Sequence, residues 1–348
     1  MPGNDIKYMK RAIALASLAA GNTSPNPLVG AVIIQNNTII GEGYHTKAGE
    51  AHAEIVAINS VKDKDLLKSA TMFVNLEPCS HYGRTPPCAK RIIDEGIPRV
   101  VVAVADPSEK VHERGIRMLK DAGIEVITGI LETESRDLNK RFFSFHEKGR
   151  PYIILKWARS KDGYIDRVRA NNEIGPNWIT GLEERMLVHK WRSEEDAILV
   201  GDKTVCNDDP SLNVRLWSGN DPRKFVLSES ADLEPGMKIF QGDKPTVIFN
   251  LQARQNNIQA DYICLSSRDK ALEEVMAFMK EAEIQSLIVE GGYTVLSQFI
   301  DAGLWDEARV FTGDILFNEG LKSPVIEGKV TGTRTFERSY LEYLKPGE

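Results

Sequence analysis

Cysteine is scarce: four residues in a chain of 348, too few for a disulfide framework. Cys206 and Cys264 read as inert residues of the second half, and a reducing cytoplasm is the expected compartment. The N-terminus, Met1-Pro2-Gly3-Asn4-Asp5-Ile6-Lys7, lacks the apolar core of a signal peptide. No hydrophobic run approaches a membrane span, so no membrane partner is expected. Basic charge is not in excess either: 44 Lys and Arg face 50 Asp and Glu, for a net charge of −6. A nucleic-acid binder would carry a basic footprint, so nucleic acid is not an expected partner. No Gly-x-Gly-x-x-Gly follows a strand, so a Rossmann domain is unsupported. The length argues for two domains.

One stretch does carry chemistry. His52-Ala53-Glu54 is followed by Pro78-Cys79-Ser80-His81-Tyr82-Gly83-Arg84-Thr85-Pro86-Pro87-Cys88. One imidazole and two thiolates make a three-ligand zinc site with a fourth position open to water. Zinc makes such a water acidic enough to ionise near neutral pH. The metal ligands are therefore His52, Cys79 and Cys88. Glu54, two residues past the His, is free to shuttle protons as the catalytic residue. An H-x-E pair followed by a Pro-Cys and a second Cys is the mark of zinc nucleobase deaminases. Here the two cysteines are separated by a longer insert than usual. Cys79 is expected just after a strand, and Cys88 at the start of a helix introduced by Pro87, where a thiolate is favoured.

Hydrophobic periodicity predicts helices over 5–20, 52–61, 88–94, 115–122 and 131–146. It predicts strands over 28–34, 39–44, 70–76, 99–104 and 124–127, with a turn at Asn36-Asn37. Alternating strands and helices imply an α/β layer sandwich. Lys148-Gly149-Arg150-Pro151 restarts the chain, so domains are expected at 1–148 and 149–348. In the second half, strands are expected near 152–158, 197–201, 224–228, 246–250, 262–265 and 286–290. Helices are expected over 182–193, 271–282 and 294–302. The unit Val289-Glu290-Gly291-Gly292, running into a helix, could bring a phosphate close to backbone and helix N-terminus.

Several motifs together resemble the bifunctional deaminase–reductases of riboflavin biosynthesis. In the first half these are Asn26-Pro27-Leu28-Val29-Gly30, Gly41-Glu42-Gly43-Tyr44-His45, Gly49-Glu50-Ala51-His52-Ala53-Glu54 and the stretch from Glu77 to Cys88. The insert ending Gly-Arg-Thr-Pro-Pro-Cys separates this family from other zinc deaminases. The resemblance implies deamination of 2,5-diamino-6-ribosylamino-4(3H)-pyrimidinone 5′-phosphate, with Asn26, His45 and Arg84 as substrate-binding residues. For Asn26 a stiffened turn, and for Arg84 a charged surface loop, are the plainer alternatives.

The second half resembles the family's dihydrofolate-reductase-like domain. The matching stretches are Lys156 through Ser160-Lys161-Asp162-Gly163, Trp178-Ile179-Thr180, the run from Asp208 to Arg215, and Val289-Glu290-Gly291-Gly292. The resemblance implies NADPH-dependent reduction of the ribosyl group to ribityl. It places Lys156, Ala158, Trp178, Thr204, Asp208, Gly291, Gly292 and Thr294 at the cofactor. Arg192, Leu212, Arg215 and Glu290 fall at the substrate, with Arg192 and Arg215 as phosphate forks. Three residues depart from the family pattern close to the expected cofactor: Arg159, Lys161 and Pro176.

The expected architecture is α/β: a cytidine-deaminase-like three-layer sandwich, then a dihydrofolate-reductase-like α/β domain. The expected cofactors are Zn2+ and NADPH. The expected partner is a small pyrimidine ribosyl phosphate, and a homo-oligomer is expected. Two other readings stand beside this one. The chain could only deaminate, with a non-reducing second domain. It could instead edit nucleic-acid bases, with the second half serving for packing.

Overall fold

The computed structural model describes residues 2–82, 86–108, 112–169, 173–257 and 259–347. The chain divides into two compact units, Met1–Gly149 and Arg150–Glu348.

The first unit runs α1 (Pro2–Ser17), β1 (Gly30–Gln35), β2 (Thr38–Tyr44), α2 (Ala53–Ser60), β3 (Thr71–Val74), α3 (Cys88–Asp94), β4 (Arg99–Val102), α4 (Arg114–Asp121), β5 (Glu125–Thr128), α5 (Glu132–Leu138) and α6 (Lys140–Lys148). Asn36 and Asn37 both take positive φ, 51° and 63°, which suits a tight hairpin between β1 and β2. The sheet order is β2-β1-β3-β4-β5. β1 is antiparallel to its neighbours, while β3, β4 and β5 run parallel. Alternate strand residues serve opposite faces. Val32, Phe73 and Val101 pack with Tyr8, Met9, Ala12 and Leu15 of α1. Ala31, Ile33, Met72 and Val100 pack with Ala57 of α2, Ile92 of α3 and Leu119 of α4. The result is a three-layer sandwich.

Two local differences from the sequence reading have physical causes. His52 is the N-cap of α2, not part of its first turn. The single helix expected over 131–146 is two, broken at Asn139. The Asn139 side chain is claimed by Leu28: Oδ1 accepts from its N–H at 2.8 Å and Nδ2 donates to its carbonyl at 2.9 Å.

The second unit runs β6 (Tyr152–Ser160), β7 (Tyr164–Arg167), α7 (Leu182–Glu194), β8 (Ala197–Gly201), α8 (Asp202–Asp208), β9 (Arg223–Leu227), β10 (Thr246–Asn250), β11 (Ala260–Cys264), α9 (Ala271–Glu281), β12 (Ser286–Val289), α10 (Tyr293–Asp301), β13 (Glu307–Gly313), β14 (Gly320–Lys322), β15 (Lys329–Thr335) and β16 (Ser339–Lys345). Nine strands form one sheet in the order β11-β10-β9-β8-β12-β6-β13-β16-β15. The seven from β11 to β13 are parallel, and β16 and β15 close the edge antiparallel. Leu155, Leu199, Phe225 and Phe249 pack under α9 and α10. Ile154, Ile198, Val226 and Ile288 pack under α7 and α8. Both faces are covered, which explains why the central strands read as continuous apolar runs.

Candidate functional site

In the first unit the turn before α2, the segment after β3 and the first residue of α3 meet. One ligand atom each from His52, Cys79 and Cys88 lies within 4.8 Å of the others. Nδ1 of His52 is 3.6 Å from Sγ of Cys79 and 3.3 Å from Sγ of Cys88. Tetrahedral zinc with its usual Zn–S and Zn–N distances would separate such ligands by about 3.5 Å. The donor set therefore fits zinc in both chemistry and spacing. The long insert is no obstacle, because the N–H of Cys88 donates to Cys79 Sγ at 3.2 Å and the N–H of Ala89 to the Cys79 carbonyl at 3.1 Å. Cys79 thus sits on the opening turn of α3. A hydrogen bond from Cys88, with the nearby His52, lowers the pKa of the Cys79 thiol and favours a thiolate there.

Glu54, in the first turn of α2, is buried. Burial first, then the Cys79 thiolate, push its carboxyl up to about 7, close to where a general acid–base must work.

Two supports escaped the sequence reading. Glu77 is buried, and its carboxylate accepts from the N–H groups of Asp106, Glu113, Gly115 and Ile116, at 2.8 to 3.2 Å. It fastens the start of α4 beside the Pro78-Cys79 segment. A Cβ at Gly115 would lie 2.0 Å from the Pro78 carbonyl oxygen, so only glycine allows this approach. Asn75 holds Gly30 N–H at 2.8 Å and the Leu28 carbonyl at 3.0 Å. With Asn139 it fixes the segment that follows Asn26. No local sequence signal marks these roles, because each partner is far away in the chain.

Asn26 Nδ2 lies 3.1 Å from Nε2 of His45, and Nδ1 of His45 lies 3.1 Å from the Ala51 carbonyl. A carbonyl only accepts, so Nδ1 carries the ring proton and Nε2 accepts from Asn26. Burial keeps the ring neutral by lowering its pKa. His45 is 2% exposed and packs edge-on against His52, with ring centroids 5.5 Å apart. It stands behind Asn26. Arg84 lies outside the described residues.

In the second unit a cleft of about 1040 Å³ opens at the C-terminal ends of β6, β8, β9 and β12, where open parallel sheets bind ligands. Lys156, Ala158, Trp178, Thr204, Asp208, Gly291, Gly292 and Thr294 line it, as do Arg192, Leu212, Arg215 and Glu290. A Cβ at Gly292 would come within 2.9 Å of Thr204 Oγ1. The bare backbone at the start of α10 gives a phosphate-bearing cofactor room and free N–H groups, so the cleft fits a dinucleotide.

At the cleft floor, Glu290 is gripped by Arg192: Nε donates to Oε1 at 2.7 Å and Nη2 to Oε2 at 2.8 Å. Lys156 Nζ lies 3.4 Å from Oε2. Burial alone would raise Glu290, but Arg192 and Lys156 more than offset it and hold the carboxyl at about 2. Arg192 is therefore closed on a carboxylate and is not an open phosphate fork. Arg215 Nη1 donates to Ser211 Oγ at 3.2 Å and to Asn213 Oδ1 at 3.1 Å, and among the described residues no carboxylate pairs with it. Of the three departures from the family pattern, Arg159 turns to Thr312 and Glu342, and Lys161 to Asp314. Neither lines the cleft; Pro176 does. His189 and Arg185 also line it, and sequence reasoning had passed over both.

Residues 2–104 match the family described as the cytidine and deoxycytidylate deaminase zinc-binding region, and residues 151–334 match the RibD C-terminal domain. The chain is 39% identical over 325 residues to the riboflavin biosynthesis protein RibD of Aquifex aeolicus, covering 91% of this chain and 89% of that one. It is 40% identical over 332 residues to RibD of Bacillus amyloliquefaciens, covering 92% and 88%. Among solved structures it resembles a diaminohydroxyphosphoribosylaminopyrimidine deaminase/5-amino-6-(5-phosphoribosylamino)uracil reductase from Thermotoga maritima, with TM-score 0.91, 33% identity and 99% of both chains covered. It also resembles Acinetobacter baumannii RibD, with TM-score 0.90, 32% identity and 100% of both chains covered. Taken with the His-Cys-Cys cluster and the cleft, these likenesses show that the chain belongs to the RibD family of bifunctional, zinc- and NADPH-dependent deaminase–reductases of riboflavin biosynthesis.

Proposed function

We infer that the chain catalyses two steps in turn. The first unit deaminates 2,5-diamino-6-ribosylamino-4(3H)-pyrimidinone 5′-phosphate. The second reduces the ribosyl group of the product to ribityl. The observation that carries this reading is one chain holding both the converged His52, Cys79 and Cys88 with Glu54 beside them, and the cleft built around Lys156, Arg192 and Glu290.

In the first unit His52, Cys79 and Cys88 hold zinc, which when bound makes water a nucleophile near neutral pH. Glu54 receives the proton shed by the attacking water. It passes that proton to the ring nitrogen, then takes the proton of the newly added hydroxyl group and delivers it to the departing amine. A buried carboxyl poised near 7 can do both. Asn26 offers Oδ1 to an N–H of the pyrimidine edge, with its amide orientation set by His45.

In the second unit the cleft holds NADPH, which supplies a hydride. Reduction of the sugar carbon also consumes a proton. Lys156 is a partly buried amine whose pKa burial has lowered, and it leans on Glu290. It is placed to donate that proton. The substrate phosphate is assigned to the Arg215 end of the cleft. The same small-molecule chemistry leaves no role for nucleic acid, and the protein is expected to assemble as a homo-oligomer in the cytoplasm.

The test has two stages on the purified, zinc-loaded chain: ammonia release from the diaminopyrimidinone substrate, then loss of NADPH absorbance. Both signals are expected. Ammonia without NADPH oxidation would leave a deaminase with a silent second unit and turn attention to Pro176. No ammonia would overturn the substrate assignment.

A further inference from the structure

One face of α7 looks into the reductase cleft, where Arg185, Val188, His189 and Arg192 recur at helical spacing. Arg192 is committed to Glu290, and Arg185 lies over the Trp178 ring at 4.5 Å. His189 is used by nothing described above. It is 3% exposed, and its Nδ1 accepts the backbone N–H of Arg215 at 3.1 Å. A backbone N–H can only donate, so Nδ1 carries no proton and the ring hydrogen sits on Nε2. Burial, then the charges of Arg192 and Arg215, push the imidazole down to about 4. The ring is therefore neutral, with one tautomer and one free donor. Arg185, Arg192 and Arg215 already crowd this end of the cleft with positive charge: burial first, then the charges of Arg192 and Arg185, lower the pKa of Arg215. A further cation there would be costly, whereas a neutral donor is not.

We propose that His189 is a substrate-binding residue of the reductase, donating from Nε2–H to the phosphate of the ribosyl phosphate while its Nδ1 holds the Arg215 segment in place. The inference rests on the reductase reading above. It adds a residue that the recognisable motifs leave out. It also explains how phosphate can be bound although the Arg192 fork is occupied by Glu290.

The test compares His189→Asn with His189→Gln in the full-length, zinc-loaded chain. Asn can keep an acceptor at the Nδ1 position but has no donor at Nε2. Gln can place an N–H near Nε2. Steady-state NADPH oxidation with 5-amino-6-(5-phosphoribosylamino)uracil gives KM for each substrate. His189→Asn is expected to raise the KM for the uracil substrate by roughly 10- to 100-fold, the worth of a hydrogen bond to a charged group. Its kcat and its KM for NADPH should change little, and His189→Gln, which restores the donor but not the acceptor for Arg215, should recover part of the loss. An unchanged KM in the Asn variant would reduce His189 to a structural tie, and so would equal damage in both variants or a parallel rise in the KM for NADPH. Should either variant fold poorly, 15N-histidine spectra of the wild type decide the question. A neutral ring protonated at Nε2, whose resonance moves when ribose 5-phosphate is added, supports the proposal. A ring protonated at Nδ1, or an Nε2–H indifferent to that ligand, overturns it. A wild-type chain that never oxidises NADPH would instead sink the reductase reading itself.

Discussion

Glu290→Gln tests the electrostatics of the reductase cleft most directly. The change keeps the side chain's shape and removes one buried negative charge. Lys156 Nζ stands 3.4 Å from that carboxylate. At an effective dielectric of about 20, the pair is worth about 5 kcal/mol. That attraction opposes the loss of the Lys156 proton that burial favours. Burial already lowers the Lys156 pKa, and the Arg192 charge lowers it further. Glu290 is the group that opposes both effects. A lysine is charged only below its pKa, so in the variant the pKa of Lys156 should fall further and its neutral fraction at pH 7 should grow. Pulse acylation with acetic anhydride across a pH series, read by mass spectrometry on the Lys156 peptide, follows the neutral amine. The midpoint should fall relative to wild type. Turnover of NADPH at pH 7 should collapse and recover in part as the pH is lowered and Lys156 regains its proton. An unchanged midpoint would refute the claim that Glu290 sets the protonation of Lys156.

Other perturbations address the first unit. Glu54→Gln should retain zinc and lose deamination by about 10²- to 10⁴-fold, while NADPH oxidation on pre-deaminated substrate is untouched; retained ammonia release would remove the proton-shuttle role. Cys88→Ser should strip zinc from the chain, measured by metal analysis after dialysis, and stoichiometric zinc in the variant would mean a different third ligand. Glu77→Gln leaves an amide oxygen able to serve only two of four backbone N–H groups. Each orphaned buried donor costs about 1–3 kcal/mol, so the first unit should melt at least about 4 °C lower. A melting point unchanged within error would show that the Glu77 carboxylate does not hold the start of α4.

The metal centre was legible because zinc demands particular atoms, and His52, Glu54, Cys79 and Cys88 are short, ordered signals. The central strands were legible for a related reason: β8 and β10 are buried along their whole length and read as apolar runs. The end of the chain was not. β13 is fully buried yet carries Glu307 and Arg309, whose side chains pair at 2.6 Å, so a core strand is disguised as a polar one. β15 is exposed along nearly its whole length and shows no apolar alternation. The break at Asn139 was invisible because Leu28, the residue that claims its side chain, lies 111 positions earlier.

What the sequence determined by itself is the chemistry available: a zinc ligand set, a carboxylate beside it, and a glycine pair at the end of a buried strand. Only tertiary structure decided how those groups are tuned. It buried Glu54 until its carboxyl titrates near neutrality, closed Arg192 onto Glu290, and capped His189 so that one neutral donor faces the cleft. Ligand identity follows from side-chain type, which is local. Protonation state and hydrogen-bond direction follow from burial and from partners distant in sequence, and those exist only once the chain has folded.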